Sequence, residues 1–324
     1  MSSEPIPKVL NFFWANETMS WLRYLSLWSA RKLNPDWDIR LYLHSPEESY
    51  GIGEGPWVNQ KIAQDFFTYD GVDYLDGLRD IGVDIRTWNP QYFVKSLSGI
   101  ADALRLETPL VPEDSTPSHR SNYFKWFLLA TEGGFYSDND ILFIKPLSEF
   151  YDKFSNHDML ISYHENDLYF SIGFLGSKGN CEPYRDFYAQ ALKGFSRENY
   201  QAAGVRALNT SLGNPSMSKG WEPLIGKYPK LDIANMGMSY FYPYESDEVE
   251  FYFEKEPQHI DHNKINDAIG LHWYAGHPTS QKWNNILAPD NVADYEFLVP
   301  REIRRLFGSE VSPVQSPRRL DVNF

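Results

Sequence analysis

The sequence lacks several features that would point to particular classes of protein. It contains one cysteine, Cys181, which excludes an internal disulfide framework. No apolar run reaches the roughly 18 residues that cross a bilayer, and the first residues have neither the basic nor the apolar region of a secretory signal. Basic residues number 30 against 44 acidic ones, and the formal net charge of −14 opposes binding to nucleic-acid phosphates or anionic membranes. We therefore expect a cytoplasmic protein with no membrane span and no nucleic-acid partner.

The chain is nevertheless long and apolar enough to bury a large core. Its 324 residues are 42% hydrophobic, which favours one α/β domain over several small units. We predict a single domain over residues 1–308, with helical and loop insertions at 46–118 and 183–210, and a flexible tail at 309–324. Aromatic residues are abundant, with 10 Trp, 21 Tyr and 21 Phe. They suit stacking on bases and sugars, and they suit a dense core equally well.

The clearest local pattern lies in residues 118–146. Apolar residues at helical spacing predict a largely buried helix over 119–132. The pair Gly133-Gly134 supplies the left-handed conformation that ends such a helix. Two short apolar β runs follow, and a polar insert at 137–140 separates them.

This insert places Asp138 and Asp140 at the end of a buried strand. Ligands commonly bind where buried strands end at the edge of a sheet, and carboxylates are the ligands that hard cations prefer. The two residues are therefore candidates for holding a divalent cation that carries a phosphorylated ligand. The alternative is an ordinary hairpin turn, since Asp and Asn favour turns wherever they occur.

The remaining segments predict a mixed α/β arrangement. An apolar run at 9–14 predicts a first buried strand, and a helix at 18–33 connects it to a parallel second strand at 38–43. Further strands are predicted at 83–88, 158–163, 168–175 and 240–243, and further helices at 57–70, 101–106, 183–194 and 197–209. Together these elements predict a twisted mixed sheet flanked by helices.

The order helix, Gly-Gly, aromatic-Tyr, Asp-X-Asp, hydrophobic strand and Lys-Pro-Leu resembles the DXD-motif glycosyltransferases of the sugar-binding-region family. That family includes fungal initiating mannosyltransferases, the lactosylceramide galactosyltransferase and clostridial toxin glucosyltransferases. Four residues match its pattern in register: Ser121, Tyr136, Asp138 and Asp140. The resemblance implies a GT-A-type α/β fold and a UDP- or GDP-sugar donor bound in part by Tyr136 and Asp138. It also implies Mn²⁺ or Mg²⁺ held by the two aspartates, and transfer with retention to a glycan, lipid or protein.

Two positions depart from the family pattern. Where the family has the Asp and Arg that hold the donor sugar, this chain has Asn122 and Lys125. Asn keeps hydrogen bonding without the charge, and Lys keeps the charge without the guanidinium fork. By the resemblance both residues contact the donor, and we expect a donor sugar other than the glucose or mannose of the relatives. Alternatively, Lys125 only extends from a buried helix to solvent.

The N-terminal strand also matches the family. The sequence Ile-Pro-Lys at 6–8 leads to Trp14, which matches a tryptophan that stacks on the nucleotide base in the related enzymes. The alternative is that Trp14 packs in the core.

A C-terminal segment resembles the part of the family that closes over the diphosphate. It contains His272, His277 and a loosely spaced pair, Ser280 and Trp283. By the resemblance the pair contacts the diphosphate, and either histidine could complete the metal coordination or bond the diphosphate. Imidazole and carboxylate together suit manganese. The alternative is plain structural use of both histidines.

The sequence as a whole thus predicts a metal-dependent glycosyltransferase with Asp138, Asp140, Asn122 and Lys125 as its catalytic residues. Two other classes stay open. The changed Asn122 and Lys125 pair is compatible with a non-catalytic protein that binds sugar nucleotides or glycans. A sugar-nucleotide hydrolase or phosphotransferase would need the same metal site.

Overall fold

The structure is a computed structural model, and the residues that it describes are 4–15, 18–44, 69, 71–88, 111–112, 115–196, 198–199, 201–216 and 219–311. The predicted helix at 101–106 therefore lies outside the described residues, as do nearly all of the predicted helix at 57–70 and most of the tail.

Strands and helices alternate along most of the described chain. The strands are β1 (Val9–Trp14), β2 (Asp38–His44), β3 (Asp84–Trp88), β4 (Gly134–Ser137), β5 (Ile141–Phe143), β6 (Met159–His164), β7 (Tyr169–Ser177), β8 (Ile233–Asn235) and β9 (Gly270–His272). The helices of the first half are α1 (Trp21–Leu33), α2 (Gly77–Asp80), α3 (Pro117–Thr131) and α4 (Ser148–Phe154). Those of the second half are α5 (Glu182–Lys193), α6 (Val205–Ser211), α7 (Glu222–Lys227), α8 (Glu250–Phe253), α9 (His262–Asn266), α10 (Pro278–Ile286) and α11 (Leu298–Phe307).

Among the described strands, seven form one mixed sheet in the order β3-β2-β1-β4-β7-β6-β8. The strand β1 pairs in parallel with β2 and β4, and β7 pairs antiparallel with β4 and β6. The strands β5 and β9 form a separate antiparallel pair. The parallel β1–β2 pairing agrees with the sequence prediction, and β6 and β7 coincide with the strands predicted at 158–163 and 168–175.

Helices cover both faces of the large sheet. Side chains of β1 alternate between two apolar clusters: Phe12 faces the cluster that contains α1, while Phe13 faces the one that contains α3 and α5. Phe135 and Tyr136 in β4 alternate in the same way. Such burial of both faces is typical of strands with continuous apolar runs. The predicted α/β class, a mixed sheet flanked by helices, is confirmed, and this is the architecture that the GT-A resemblance implies.

The helix α3 is more deeply buried than its sequence pattern predicts. Its residues from Asn122 to Ala130 are all buried, including Lys125 at 2% exposure. The helix ends as predicted at Gly133 and Gly134, whose φ angles are +78° and +89°. A Cβ atom on Gly133 would lie 2.4 Å from the backbone nitrogen of Gly179, so this turn requires glycine both for its conformation and for its packing.

One alternative and one prediction of local structure are wrong. The alternative of a hairpin turn at 137–140 is excluded, because β4 belongs to the large sheet whereas β5 pairs with β9. The segment 240–243 is not a strand but a turn, and its carbonyl groups accept hydrogen bonds from the backbone N–H groups of Ile269, Gly270 and His272. In addition, the predicted helix at 197–209 begins only at Val205. No helix of the described residues is both long and apolar enough to cross a membrane.

Candidate nucleotide and metal site

A cavity of about 700 Å³ opens where β1, β4 and β9 end. Its walls contain the last residue of β1, the segment 138–140 after β4, and the last residue of β9. The helices α1 and α3 also contribute to the wall, and so does the first half of β7. The volume is in the range of pockets that hold small-molecule ligands.

Asp138 is fixed in this cavity by two donors. Its Oδ1 atom accepts hydrogen bonds from the Tyr136 hydroxyl at 2.7 Å and from Lys125 Nζ at 3.0 Å. Burial and the nearby Asp138 carboxylate raise the pKa of Tyr136 well above its ordinary value, so the phenol stays protonated and can donate. The Asp138 side chain is 29% exposed, and its Oδ2 atom points to the same space as His272.

Asp140 is buried and held in its ionised form. Its Oδ2 atom accepts a hydrogen bond from the backbone N–H of Ala275 at 2.9 Å. Burial acts to raise the pKa of Asp140, but the neighbouring His272, the Arg23 guanidinium and the Ala275 N–H together hold the pKa well below its usual range. The carboxylate is therefore available as a ligand at neutral pH.

The strand pairing between β5 and β9 brings His272 to this carboxylate. Ile141 is the register partner of His272, and the His272 Nε2 atom lies 3.1 Å from Asp140 Oδ1. The two atoms lack the alignment of a hydrogen bond, and among the described residues no other group donates one to this oxygen. The rings of Tyr242 and Tyr274 pack on the imidazole with centroid distances of 5.0 and 4.2 Å.

These side chains fit a divalent cation. Ligand atoms of Asp138, Asp140 and His272 all lie within 4.8 Å of one another. Adjacent ligands of a six-coordinate ion with bonds of about 2.1 Å are about 3 Å apart, which matches the separation of Asp140 Oδ1 and His272 Nε2. Because Asp140 Oδ1 is buried without a donor, a cation would also satisfy an otherwise costly acceptor.

Gly173 in β7 leaves room for the cluster, and sequence reasoning missed this role. A Cβ atom at this position would lie 2.8 Å from the Tyr242 hydroxyl, 3.2 Å from Asp138 Oδ2 and 3.3 Å from His272 Nε2. The carbonyl of Gly173 also accepts a hydrogen bond of 2.7 Å from the backbone N–H of Asp138. The sequence gives no signal for this function, because it depends on three residues that are distant along the chain.

Asn122 and Lys125 both line the cavity from α3. Lys125 does not extend to solvent: its ammonium group donates to Asp138 and, at 3.1 Å, to the carbonyl of Ile172. It also lies 4.6 Å from the centroid of the Tyr136 ring. The Asn122 amide lies next to Gly204, where a Cβ atom would come within 3.0 Å of its Nδ2 atom. The alternative in which Lys125 only reaches solvent is thereby wrong.

Trp14 lies in the cavity wall beside Arg23, a residue that the sequence analysis did not single out. The residue is 8% exposed, and it also packs in the apolar cluster that contains α1. The guanidinium of Arg23, in the first turn of α1, lies 5.0 Å from the Trp14 ring centroid and 5.7 Å from that of Trp273. Nothing in the amphipathic pattern of α1 distinguishes Arg23 from an ordinary surface arginine.

The other three C-terminal candidates, His277, Ser280 and Trp283, lie in different environments. His277 lines the cavity but lies outside the aspartate cluster, and its Nδ1 atom caps α10 by accepting from the Thr279 N–H at 3.2 Å. Ser280 is fully buried and donates to the carbonyl of Trp273. Trp283 stacks on Phe253 and donates to Glu254. Since neither Ser280 nor Trp283 is in the cavity wall, the structure does not support their predicted contact with a diphosphate.

Comparison with known proteins gives distant likenesses only. No protein family and no curated protein matches the chain. Similar solved structures include the PaToxG glycosyltransferase, with 17% identity and a TM-score of 0.46 over 70% of this chain and 76% of that one. The UDP-bound glycosyltransferase domain of the YGT toxin has 11% identity and a TM-score of 0.37, over 59% of this chain and 62% of that one. The galactosyltransferase LgtC has 12% identity and a TM-score of 0.36, over 82% and 86% respectively. Likenesses at this level carry no argument about the site.

Proposed function

We propose that this protein is a GT-A-type glycosyltransferase that moves a sugar from a nucleoside diphosphate donor to an acceptor hydroxyl. The observation that carries the proposal is the meeting of Asp138, Asp140 and His272 in the wall of one cavity, next to the ring of Trp14. Carboxylate and imidazole ligands suit a divalent cation, and an aromatic face suits a base. A nucleoside diphosphate offers both partners in one molecule.

The cation would be Mn²⁺ or Mg²⁺, held by Asp140 and His272, with Asp138 bound to it directly or through water. When bound, it would neutralise the donor phosphates and stabilise the charge that develops on the leaving diphosphate. The chain's own part is to keep the ligands in place. The Ala275 N–H fixes Asp140, and the Tyr136 hydroxyl with Lys125 Nζ fixes Asp138.

The donor sugar would lie against α3. Lys125 already donates hydrogen bonds to Asp138 and to the Ile172 carbonyl. Its role would therefore be mainly to position Asp138 and the part of β7 that lines the cavity. The Asn122 amide can donate to a sugar oxygen or accept from a hydroxyl, but it is a weaker hydrogen-bond acceptor than the carboxylate of an aspartate. We therefore propose a donor that offers an acceptor group to this pocket, and a preference different from glucose or mannose.

Transfer with retention follows from the family resemblance. In that mechanism an oxygen of the leaving phosphate deprotonates the acceptor hydroxyl on the same face of the sugar, and no nucleophilic side chain is needed. The acceptor would be a glycan, a lipid or a protein. The contribution that we propose for the cavity residues is to hold the donor.

A turnover assay tests the proposal. The purified protein is incubated with UDP- and GDP-sugars and Mn²⁺, with and without pooled glycan, lipid and peptide acceptors, while nucleoside diphosphate and free sugar are measured. A transferase releases nucleoside diphosphate faster with acceptor and forms a labelled acceptor. Free sugar that is independent of acceptor would indicate a hydrolase. Donor-dependent thermal stabilisation with no release of products would indicate a binding protein.

A further inference from the structure

Arg23 lies in the cavity wall, and the proposed function has so far assigned no role to its positive charge. Of the described residues that line the cavity, the lysine and arginine side chains are those of Lys125 and Arg23. Lys125 is committed to Asp138 and a backbone carbonyl. The Arg23 guanidinium, in contrast, forms no ion pair with any carboxylate of the described residues, although its charge contributes to lowering the pKa of Asp140.

Two tryptophans hold the guanidinium in place. Its central carbon lies 5.0 Å from the ring centroid of Trp14 and 5.7 Å from that of Trp273. Trp273 is fully buried, and its backbone N–H donates to the Asp140 carbonyl at 2.9 Å. Arginine is attracted to aromatic faces at such distances and loses less freedom when it then binds a ligand. The group is thereby fixed between the proposed base site and the aspartate cluster.

A diphosphate bound in this cavity would need a nearby positive charge. The whole chain has a formal charge of −14, so its long-range field opposes the approach of an anionic ligand. The cavity wall itself contains Asp138, Asp140 and Asp247. A diphosphate must therefore be compensated locally, and one divalent cation shared with two aspartates leaves most of that compensation to the protein.

Of the other predicted diphosphate contacts, His277 lines the cavity, but its Nδ1 atom already accepts from the Thr279 N–H, and two more lie outside the wall. Ser280 and Trp283 are buried away from the cavity wall. Lys282, the cation nearest to them in sequence, has a 55% exposed side chain and pairs with Glu254 at 2.7 Å.

On these grounds we propose that Arg23 binds the diphosphate of the donor and of the leaving nucleoside diphosphate. A guanidinium presents parallel N–H groups that match two phosphate oxygens, which a lysine cannot do. This inference rests on the proposed function, because it takes the cavity to be the nucleotide site. It adds a residue from α1 to the groups that the sequence pattern indicated.

The test compares three proteins: the wild type, Arg23→Gln and Arg23→Lys. The dissociation constants of UDP and GDP are measured by calorimetry with Mn²⁺ present, and those of uridine and guanosine by competition at millimolar concentration. A charge-assisted hydrogen bond of the usual strength corresponds to about a 10- to 100-fold effect. We expect Arg23→Gln to weaken diphosphate binding by that factor and to leave nucleoside binding unchanged, and Arg23→Lys to lie between the two. Exposed Arg79 provides the control variant, Arg79→Gln, which should bind as the wild type does.

The outcomes separate the inference from the proposed function. If the wild type binds neither UDP nor GDP, the proposed function fails and the inference fails with it. If the wild type binds one of them and Arg23→Gln binds it equally well, only the inference is overturned. It is also overturned if Arg23→Gln weakens nucleoside and diphosphate by the same factor, because Arg23 would then act only by supporting Trp14. Thermal unfolding of each variant verifies that it is folded.

Discussion

Replacing Gly173 by alanine should weaken metal binding as well as destabilise the fold. The new Cβ atom would lie 2.8 Å from the Tyr242 hydroxyl, which would have to retreat by about 0.6 Å to reach an ordinary contact of 3.4 Å. Asp138 Oδ2 and His272 Nε2, at 3.2 and 3.3 Å, would also be pushed. Metal sites tolerate displacements of only about 0.2 Å in ligand distance. The Tyr242 ring packs on His272, so its movement reaches the cluster.

The expected losses of metal affinity and of unfolding free energy can be taken from similar substitutions in other proteins. Disturbing the groups that orient metal ligands typically weakens affinity by about 10- to 100-fold, and overpacking costs about 1–3 kcal/mol of unfolding free energy. We expect Gly173→Ala to show both effects. Mn²⁺ binding is measured by calorimetry or electron paramagnetic resonance, and unfolding by denaturant titration.

Gly176 in the same strand provides a matched control. A Cβ atom there would meet Leu160 at 3.1 Å and Phe135 at 3.2 Å, which are core side chains that do not line the cavity. Gly176→Ala should therefore destabilise the fold and leave Mn²⁺ affinity unchanged. Wild-type Mn²⁺ affinity in Gly173→Ala, or an equal loss in both variants, would refute the placement of the metal next to Gly173.

Three further predictions concern the same cavity. Asp140→Asn should abolish metal-dependent donor binding while the fold is kept, whereas the exposed control Asp152→Asn should behave as the wild type; unchanged turnover in Asp140→Asn would exclude Asp140 as the ligand. Trp14→Ala should weaken nucleotide binding by roughly 1–3 kcal/mol, the usual effect of losing a stacking partner, and an unchanged dissociation constant with a less stable fold would mean a core role alone. The double variant Asn122→Asp with Lys125→Arg should move the ranking of donors across a UDP- and GDP-sugar panel towards glucose or mannose. An unchanged ranking would mean that the two residues do not select the sugar.

The parts of the structure that could be predicted from the sequence are those set by local pattern. The helix before Gly133, the glycine turn and the strand that precedes Asp138 follow from spacing and from the conformations that glycine alone adopts easily. The first parallel unit was predictable for the same reason, since a buried strand reads as a continuous apolar run.

The parts that could not be predicted depend on contacts between distant residues. His272 and His277 were indistinguishable in the sequence, and only the pairing of β9 with β5 places His272 at Asp140 while His277 caps a helix. Ser280 and Trp283 fit a sequence pattern, yet α10 turns both into the core. Arg23 became a candidate only when its guanidinium was located between two indole rings.

We propose that one cavity binds a nucleoside diphosphate through a cation held by Asp138, Asp140 and His272. Crystals grown with Mn²⁺ and UDP or GDP would test this proposal, because the anomalous signal of manganese locates the ion independently of the protein map. We expect one strong peak within bonding distance of Asp140 Oδ1 and His272 Nε2, with the phosphates on its open side and the base at Trp14. A manganese peak elsewhere, or a nucleotide bound outside this cavity, would rule out the site formed by these three residues.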